Sequence, residues 1–414
     1  MFRAAQSRPT YGLAAGLAIG LGVLGVTVSI ALPILFPIFR FPQPTGPYGI
    51  GTMTYHWIDV ERRELFSTDP NVHRELMVQI WYPAQANSSA SHVPYLPHPE
   101  VLASTAHLMH VPPFIFGHLK YALTLALPSA PVASGEARYP VLVFLSGRGG
   151  YRQSNTFQVE ELVSHGYIVA AIDQPYAASG VIFPDGRLVP MDPRMFDPAR
   201  PGHPTFYDRM IRGYAGVIPY LAQDVVFALD RLAALNLADP NRQLTGRLDL
   251  QHEGIFAVSL GGIVASEACL REPRLRACLL MDAYMPADVV NAGLHQPIMW
   301  LSRGAESMKL EGWAQADINE TQDTMRAVFE RLQGAGYIVR IRGMFHPNFS
   351  DAPLFSPLAS WIGLTGPIDG ARGQSIVNAY SLAFFDRHLN GRPEPLLKGQ
   401  TDQYSEGVLE TRWR

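Results

Sequence analysis

The sequence predicts an α/β fold in which a mostly parallel central sheet is flanked by helices. Continuous apolar runs, for example residues 139–145 and 167–172, are typical of strands that are buried on both faces. Amphipathic segments with helical spacing lie between such runs, and residues 220–237 are the clearest of them. Strands that alternate with helices form βαβ units, and functional sites then gather at the carboxyl ends of the strands. Further strands are predicted at residues 75–82, 254–258, 277–281, 297–301 and 337–342, and further helices at residues 157–165 and 263–270.

The composition is that of an ordinary globular protein, with 47% hydrophobic and 17% charged residues among 414. A formal net charge of -3 argues against electrostatic binding of nucleic acid. The two cysteines, Cys269 and Cys278, are too few for a disulfide framework, and we expect both to be small core residues rather than a bridged pair. Residues 46–414 are predicted to form one catalytic domain after an anchor and linker at residues 1–45.

The N-terminal segment is uncharged from residue 11 to residue 39, and residues 13–32 alone are long and apolar enough to cross a bilayer as a helix. Pro33 and Pro37 are predicted to end that helix. So long a run favours an uncleaved signal anchor, and secretion after signal cleavage is the alternative. Arg3 and Arg8 precede the run, so the positive-inside rule predicts that the N-terminus lies in the cytoplasm and the main domain on the extracytoplasmic side. Residues 41–47 are predicted to be a stiff, proline-rich linker.

Two insertions are predicted to cover the sheet, near residues 87–131 and 174–216. The first is rich in proline, histidine and large apolar residues and is too irregular for a sheet layer. Either it is a helical cover packed on the core, or it lines an acyl or lipid pocket or touches the membrane surface. His107 and His110 have a spacing that could bind a metal on a helix, but no cysteine or paired carboxylate accompanies them, so we predict no metal site.

Ser259 is the candidate nucleophile. It stands between an apolar run and a good helix former, in the pattern small-x-Ser-x-Gly, with Ala257 where the first glycine is usual. A serine at a sharp turn from strand to helix projects its hydroxyl out of the sheet, where a base and a substrate carbonyl can reach it. After the preceding strand at residues 139–145, a glycine-rich loop, residues 146–150, offers backbone N–H groups of the kind that build an oxyanion hole.

A serine nucleophile needs a histidine base, and the base needs a carboxylate. Asp282 directly follows one strand downstream of the serine, and Glu306 lies several residues beyond the next, so the residues alone leave both as candidates for the acid. His346 follows the last predicted strand, downstream of the serine and of both acids. This chain order of serine, acid and histidine is the one expected of an α/β-hydrolase fold.

These residues resemble those of the α/β-hydrolases similar to plasma-type platelet-activating-factor acetylhydrolase. The resemblance covers roughly residues 46–391 and is carried by residues 281–285 (Met-Asp-Ala-Tyr-Met), 343–351 (Gly-Met-Phe-His-Pro-Asn-Phe-Ser-Asp) and 378–385. It implies that Asp282 is the acid and that the backbones of Arg148 and Leu260 hold the oxyanion. It also implies calcium-independent hydrolysis of short or oxidised acyl esters at the sn-2 position of phospholipids.

The sequence therefore predicts a membrane-anchored serine ester hydrolase, resembling a 1-alkyl-2-acetylglycerophosphocholine esterase, that needs no cofactor. Its predicted partners are an ester or phospholipid substrate and, through the N-terminal helix, a membrane. A general carboxylesterase or polyester hydrolase is the alternative within the same class. A non-catalytic, membrane-tethered receptor or scaffold with a hydrolase fold is the alternative of another class, and it would be marked by a missing triad residue.

Overall fold

The computed structural model describes residues 11–85, 91–192, 216–399 and 403–413. Two sheets lie in these ranges, a ten-stranded central sheet and a two-stranded hairpin. Their strands are β1 (Gly49–Arg63), β2 (His73–Ala84), β3 (Ala126–Pro128), β4 (Tyr139–Leu145), β5 (Ile168–Asp173), β6 (Gly180–Ile182), β7 (Leu188–Pro190), β8 (Leu248–Val258), β9 (Leu275–Met281), β10 (Ile298–Ser302), β11 (Gly336–Ile341) and β12 (Gly407–Arg412). The order in the central sheet is β12-β11-β10-β9-β8-β4-β5-β2-β1-β3, and β6 pairs with β7.

The centre of the sheet is parallel, as predicted. β11, β10, β9, β8, β4 and β5 follow one another with parallel pairing. β2 pairs antiparallel with β5 and with β1, and β12 pairs antiparallel with β11. The carboxyl ends of the six parallel strands therefore share one edge, which is where the predicted site residues lie.

Helices cover both faces of this sheet. The described α-helices are α1 (Tyr11–Leu35), α2 (Ala103–Leu108), α3 (Thr156–Ser164), α4 (Val217–Leu237), α5 (Leu260–Arg271), α6 (Ala287–Ala292), α7 (Ala305–Leu310), α8 (Gln315–Arg331) and α9 (Gly370–His388). Successive side chains of a strand point to opposite faces, so the core divides in two. Val141 and Val143 of β4 pack with α4, α5 and α8 in one cluster, whereas Leu142 and Phe144 pack with α3 and α9 in the other.

Three strands of the central sheet lie outside the sequence prediction, namely β1, β12 and the three-residue strand β3. β1 and β12 alternate buried or half-buried positions with exposed ones in part of their length, because they lie near the edges of the sheet. Their sequences therefore lack the continuous apolar runs that mark the central strands. β11 was predicted to be the last strand, and that prediction was wrong because β12 follows it along the chain and adds to it at the edge.

The first insertion is mainly a helical cover. It contains α2 and the 3₁₀ segments Pro99–Leu102 and Pro113–Tyr121. The prediction that it contributes nothing to a sheet was wrong in one detail, because β3 adds three residues beside β1 at the edge. In the second insertion β6 and β7 form a hairpin, and residues 193–215 lie outside the described ranges.

The expectation of two separate cysteines was wrong. Cys269 of α5 and Cys278 of β9 form a disulfide, with their Cα atoms 6.8 Å apart. Both residues are buried, as expected of small core residues. The packing of α5 on β9 brings the two thiols next to each other. The bridge ties the helix that begins after Ser259 to the strand that ends before Asp282.

The N-terminal helix α1 contains one segment, Ala14–Leu35, that is long and apolar enough to cross a membrane by length and composition. Arg3 and Arg8, on which the predicted orientation depends, lie outside the described residues. Pro33 and Pro37 were predicted to end the helix, and it ends at Leu35, between the two prolines. Beyond it Phe39 and Phe41 are buried and pack edge-on against Tyr95 of the first insertion. The domain boundary at residue 46 stays a prediction.

Candidate active site

Ser259 lies at the turn between β8 and α5. Its backbone has φ 57° and ψ -126°, a conformation that costs free energy for a residue with a side chain. The turn is held by the sheet, since the Ser259 N–H donates to the carbonyl of Met281 at 2.9 Å. Ser259 is half-buried, so its hydroxyl remains accessible from one side. This is the strained turn from strand to helix that the sequence predicted.

Close backbone approach explains the small residues around the serine. A Cβ on Gly261 would lie 2.4 Å from the carbonyl oxygen of Ser146, so only glycine fits there without displacing the loop. A Cβ on Gly147 would lie 2.9 Å from the Cβ of Ser259. Ala257, in contrast, is fully buried within β8 and packs in the core, which is why alanine can replace the usual glycine.

Asp282 and His346 form a hydrogen-bonded pair. Nδ1 of His346 and Oδ2 of Asp282 are 2.6 Å apart, although 64 residues separate the two along the chain. Asp282 directly follows β9, has φ 46° and is buried, whereas the His346 side chain is partly exposed. Because Nδ1 is engaged by the carboxylate, Nε2 is the ring nitrogen that can accept a proton from a serine.

The electrostatic surroundings keep Asp282 ionised. Burial acts to raise the pKa of this carboxyl, but the hydrogen bond from His346 and the positive charge of Arg303 outweigh burial, and the pKa of Asp282 lies below its usual value. An ionised carboxylate beside Nδ1 orients the imidazole and stabilises its protonated form.

Glu306, the other candidate for the acid, lies in the first turn of α7 and is exposed to solvent. The carboxylate in contact with the imidazole ring of His346 is that of Asp282. The reason lies in the sheet, because β9 is adjacent to β8 and its tip is therefore next to Ser259.

The loop that carries His346 is fixed by two residues of the motif in which the histidine lies. The amide oxygen of Asn348 accepts hydrogen bonds from the N–H groups of Phe345 and Gly366, at 2.8 and 2.7 Å. The carboxylate of Asp351 accepts from the first N–H groups of α3, those of Thr156 and Phe157, at 2.9 and 3.1 Å. Asn348 and Asp351 thus anchor the histidine loop to the rest of the domain.

Three residues of the site escaped the sequence analysis. Arg303, Glu311 and Trp313 surround the Asp282–His346 pair, and each contacts it directly or through another of the three. The available signal was an arginine right after a predicted strand, in the same position relative to β10 that Asp282 has relative to β9. Residue spacing alone did not show that a buried arginine would need the carboxylate of Asp282 as a partner.

A cleft of about 450 Å³ opens above these residues, a size that suits a small ligand. Ser259, Asp282 and His346 all line it, and so do Arg148, Leu260, Ile263, Tyr284, Trp313 and Glu320. Leu260 is the first residue of α5, and the first N–H groups of a helix have no partner within the helix. Arg148 and Leu260, the two residues whose backbones are predicted to hold an oxyanion, thus both line the cleft that contains the serine.

Asp173, at the end of β5, lies away from this cleft, where it pairs with Arg152 and lines a second cavity. His107 and His110 are exposed, and within the described ranges no group of three histidine, cysteine or carboxylate side chains is placed to hold a metal ion.

Comparison with known proteins gives consistent matches along the chain. The model of the family described as platelet-activating factor acetylhydrolase, isoform II, matches residues 34–180 and 231–406. A platelet-activating factor acetylhydrolase of Cavia porcellus is 23% identical over 368 residues, which cover 84% of this chain and 78% of that protein. A probable 1-alkyl-2-acetylglycerophosphocholine esterase of Arthroderma benhamiae is 25% identical, over 90% of this chain and 94% of the relative. The structure of a ferulic acid esterase from Streptomyces cinnamoneus superposes with a TM-score of 0.71 and 27% identity, and the match covers 90% of this chain and 99% of the esterase.

Proposed function

The chain belongs to the family of platelet-activating factor acetylhydrolase, isoform II, and is a serine ester hydrolase, and we propose that Ser259, Asp282 and His346 are its catalytic triad. The observation that carries this proposal is the 2.6 Å contact between His346 and Asp282 in the cleft that Ser259 also lines.

The chemistry follows from this arrangement. Nε2 of His346 takes the proton of the Ser259 hydroxyl while Oγ attacks the ester carbonyl carbon, and the carbonyl oxygen becomes an oxyanion. The N–H groups of Arg148 and Leu260 donate to that oxygen. His346 then gives its proton to the departing alkoxide, which leaves an acyl-serine. Water attacks the acyl-serine with His346 again as base, and the acid and free serine are released.

The substrates that we propose are short or oxidised acyl esters at the sn-2 position of phospholipids. Two observations support this class, namely the names of the two relatives and a cleft of limited volume. The second candidate is a general carboxylesterase with aromatic or polymeric ester substrates. It is favoured by the likeness to a ferulic acid esterase and by the aromatic side chains of Tyr284 and Trp313 in the cleft.

A series of p-nitrophenyl esters with acyl chains of increasing length distinguishes the two candidates. We expect kcat/KM to fall by about tenfold or more beyond short acyl chains, because each methylene that a pocket cannot hold has a cost of that order. A methyl ferulate assay completes the series. A flat profile, or faster turnover of ferulate than of short acyl esters, would favour the general carboxylesterase.

We propose further that α1 anchors the protein in a membrane, with the catalytic domain on the extracytoplasmic side. The length and apolar composition of Ala14–Leu35 support an anchor, and secretion after signal cleavage is the alternative. The disulfide between Cys269 and Cys278 supports the extracytoplasmic side, because disulfides persist in oxidising compartments. On this proposal the first insertion receives an acyl chain from the bilayer and directs it to Ser259.

Removal of residues 1–35 is expected to lower activity on phospholipid vesicles without changing activity on a soluble ester. Turnover of phospholipid in vesicles should fall by about tenfold or more, since the local concentration that an anchor provides is lost. Hydrolysis of soluble p-nitrophenyl acetate should be unchanged, because the deleted segment ends before Phe39 and Phe41, which pack on the domain. Equal losses on both substrates would contradict a role for the helix in reaching the bilayer.

A further inference from the structure

Arg303 is a fully buried arginine in contact with the proposed triad. It directly follows β10, and its Nε donates to Oδ2 of Asp282 at 2.8 Å. The same oxygen accepts a hydrogen bond from Nδ1 of His346, so the guanidinium and the imidazole bind to one carboxylate oxygen. Burial of an arginine is costly unless its charge is paired, and Asp282 supplies part of that pairing.

Glu311 completes the pairing and also contacts the other member of the pair. It follows α7, and its Oε2 accepts from a terminal nitrogen of Arg303 and from the backbone N–H of His346, the latter at 3.0 Å. The two side chains therefore bridge the acid and the base of the proposed triad from the side of β10.

Trp313 packs against Arg303 and His346 on the side that faces the cleft. The centroid of the Trp313 ring lies 4.4 Å from the guanidinium carbon of Arg303. The same centroid lies 5.5 Å from the centroid of the His346 ring. The indole thus covers the ion pair from solvent. Charges that are shielded from water in this way act on one another more strongly than charges at an open surface.

Charged side chains of both signs lie close to His346. Asp282 and Glu311 are negative and favour a protonated imidazole, whereas Arg303 is positive and opposes it. The more distant charged side chains that line the cleft come from α8 and from the loop after β4, namely Asp317, Glu320 and Arg148. Without Arg303 two carboxylates would face the imidazole uncompensated. Without Glu311, Arg303 would keep only one of its two carboxylate partners, Asp282.

We propose that Arg303 and Glu311 are positioning residues that act through Asp282 and His346, and that their opposite charges set the pH below which His346 ceases to act as a base. This inference rests on the proposed triad, but it concerns residues that the triad mechanism does not use. It predicts shifts of opposite sign for the two residues, which loss of packing alone would not produce.

The experiment measures kcat/KM for p-nitrophenyl acetate, and the rate of fluorophosphonate labelling, between pH 4 and pH 9 with the full-length protein in detergent. In Arg303→Met we expect the midpoint of the acid limb to rise by about one pH unit, because the loss of a positive charge makes the imidazole easier to protonate. In Glu311→Gln we expect it to fall by about half to one unit, because a negative charge is lost. The double variant should return near the wild-type midpoint.

Two further variants keep the outcome decisive. Arg303→Lys retains the charge, so its midpoint should stay near that of the wild type even where kcat falls through loss of the planar fork. Arg372→Met removes an arginine from an ion pair with Glu406 near the C-terminus and should leave the midpoint unchanged.

Coincident midpoints in the wild type, Arg303→Met and Glu311→Gln would overturn the inference, and so would shifts of the same sign. If Arg303→Met does not fold, a lowered midpoint in Glu311→Gln with an unmoved one in Arg303→Lys supports it, and no shift in Glu311→Gln overturns it. Absence of labelling at Ser259 in the wild-type protein would instead contradict the proposed triad itself.

Discussion

Replacement of Ser259 by alanine is expected to lower kcat by about a millionfold, which is the loss seen when the nucleophile of a serine triad is removed. On the proposed mechanism the Ser259 hydroxyl forms the acyl-enzyme, and the strained turn at φ 57° presents that hydroxyl to the cleft. The measurement is turnover of p-nitrophenyl acetate, together with mass-spectrometric mapping of the residue that a fluorophosphonate probe modifies. Labelling should be found at Ser259 in the wild type and should be absent from the variant.

Ser266 provides the matched control. It lies about two turns beyond Ser259 along α5. It is fully buried, and its hydroxyl donates to the carbonyl of Ile263 at 2.7 Å. Ser266→Ala should retain both activity and labelling. Near-full activity in Ser259→Ala would exclude this serine as the nucleophile, and a folded wild-type protein with neither labelling nor turnover would favour the non-catalytic scaffold.

Replacement of Asp282 by asparagine is expected to lower kcat by about ten-thousandfold. An amide in place of the carboxylate removes the negative charge beside His346 and can present an N–H to Nδ1, which selects the wrong tautomer of the imidazole. It also leaves the guanidinium of Arg303 with one carboxylate fewer, so some loss of stability should accompany the loss of activity. Thermal unfolding measured beside kcat separates the two effects.

Glu306→Gln is the control for the acid. Because Glu306 is exposed at the start of α7, its replacement should change kcat by less than about twofold and leave the free energy of unfolding within about half a kcal/mol of the wild-type value. Near-full activity of Asp282→Asn, with loss of activity in Glu306→Gln, would show that the acid has been assigned to the wrong residue.

The central strands and helices could be predicted because each leaves its own pattern of apolar residues in a short stretch of sequence. The buried strands and the helix α4 each leave a continuous or periodic pattern in a short window, and the structure has each of them within a few residues of the prediction. β1 and β12 were missed because half-exposed strands at or next to the edge of a sheet carry mixed polar and apolar residues. The disulfide was missed for another reason, since the distance between Cys269 and Cys278 depends on how α5 crosses the sheet.

The sequence by itself determined the α/β fold, the strand ends at which Ser259, Asp282 and His346 lie, and the family to which the chain belongs. Each of these follows from patterns that a short stretch of chain carries on its own, such as an apolar run followed by a small-x-Ser-x-Gly turn. The residues alone left Asp282 and Glu306 open as the acid, the family resemblance pointed to Asp282, and the tertiary structure has the Asp282 carboxylate against the His346 ring. Only the tertiary structure decided that the two cysteines are joined and that Arg303 and Glu311 bridge the acid and the base. The physical reason is that these contacts join different elements, and their distances are set by the order of strands in the sheet and by the packing of helices on it.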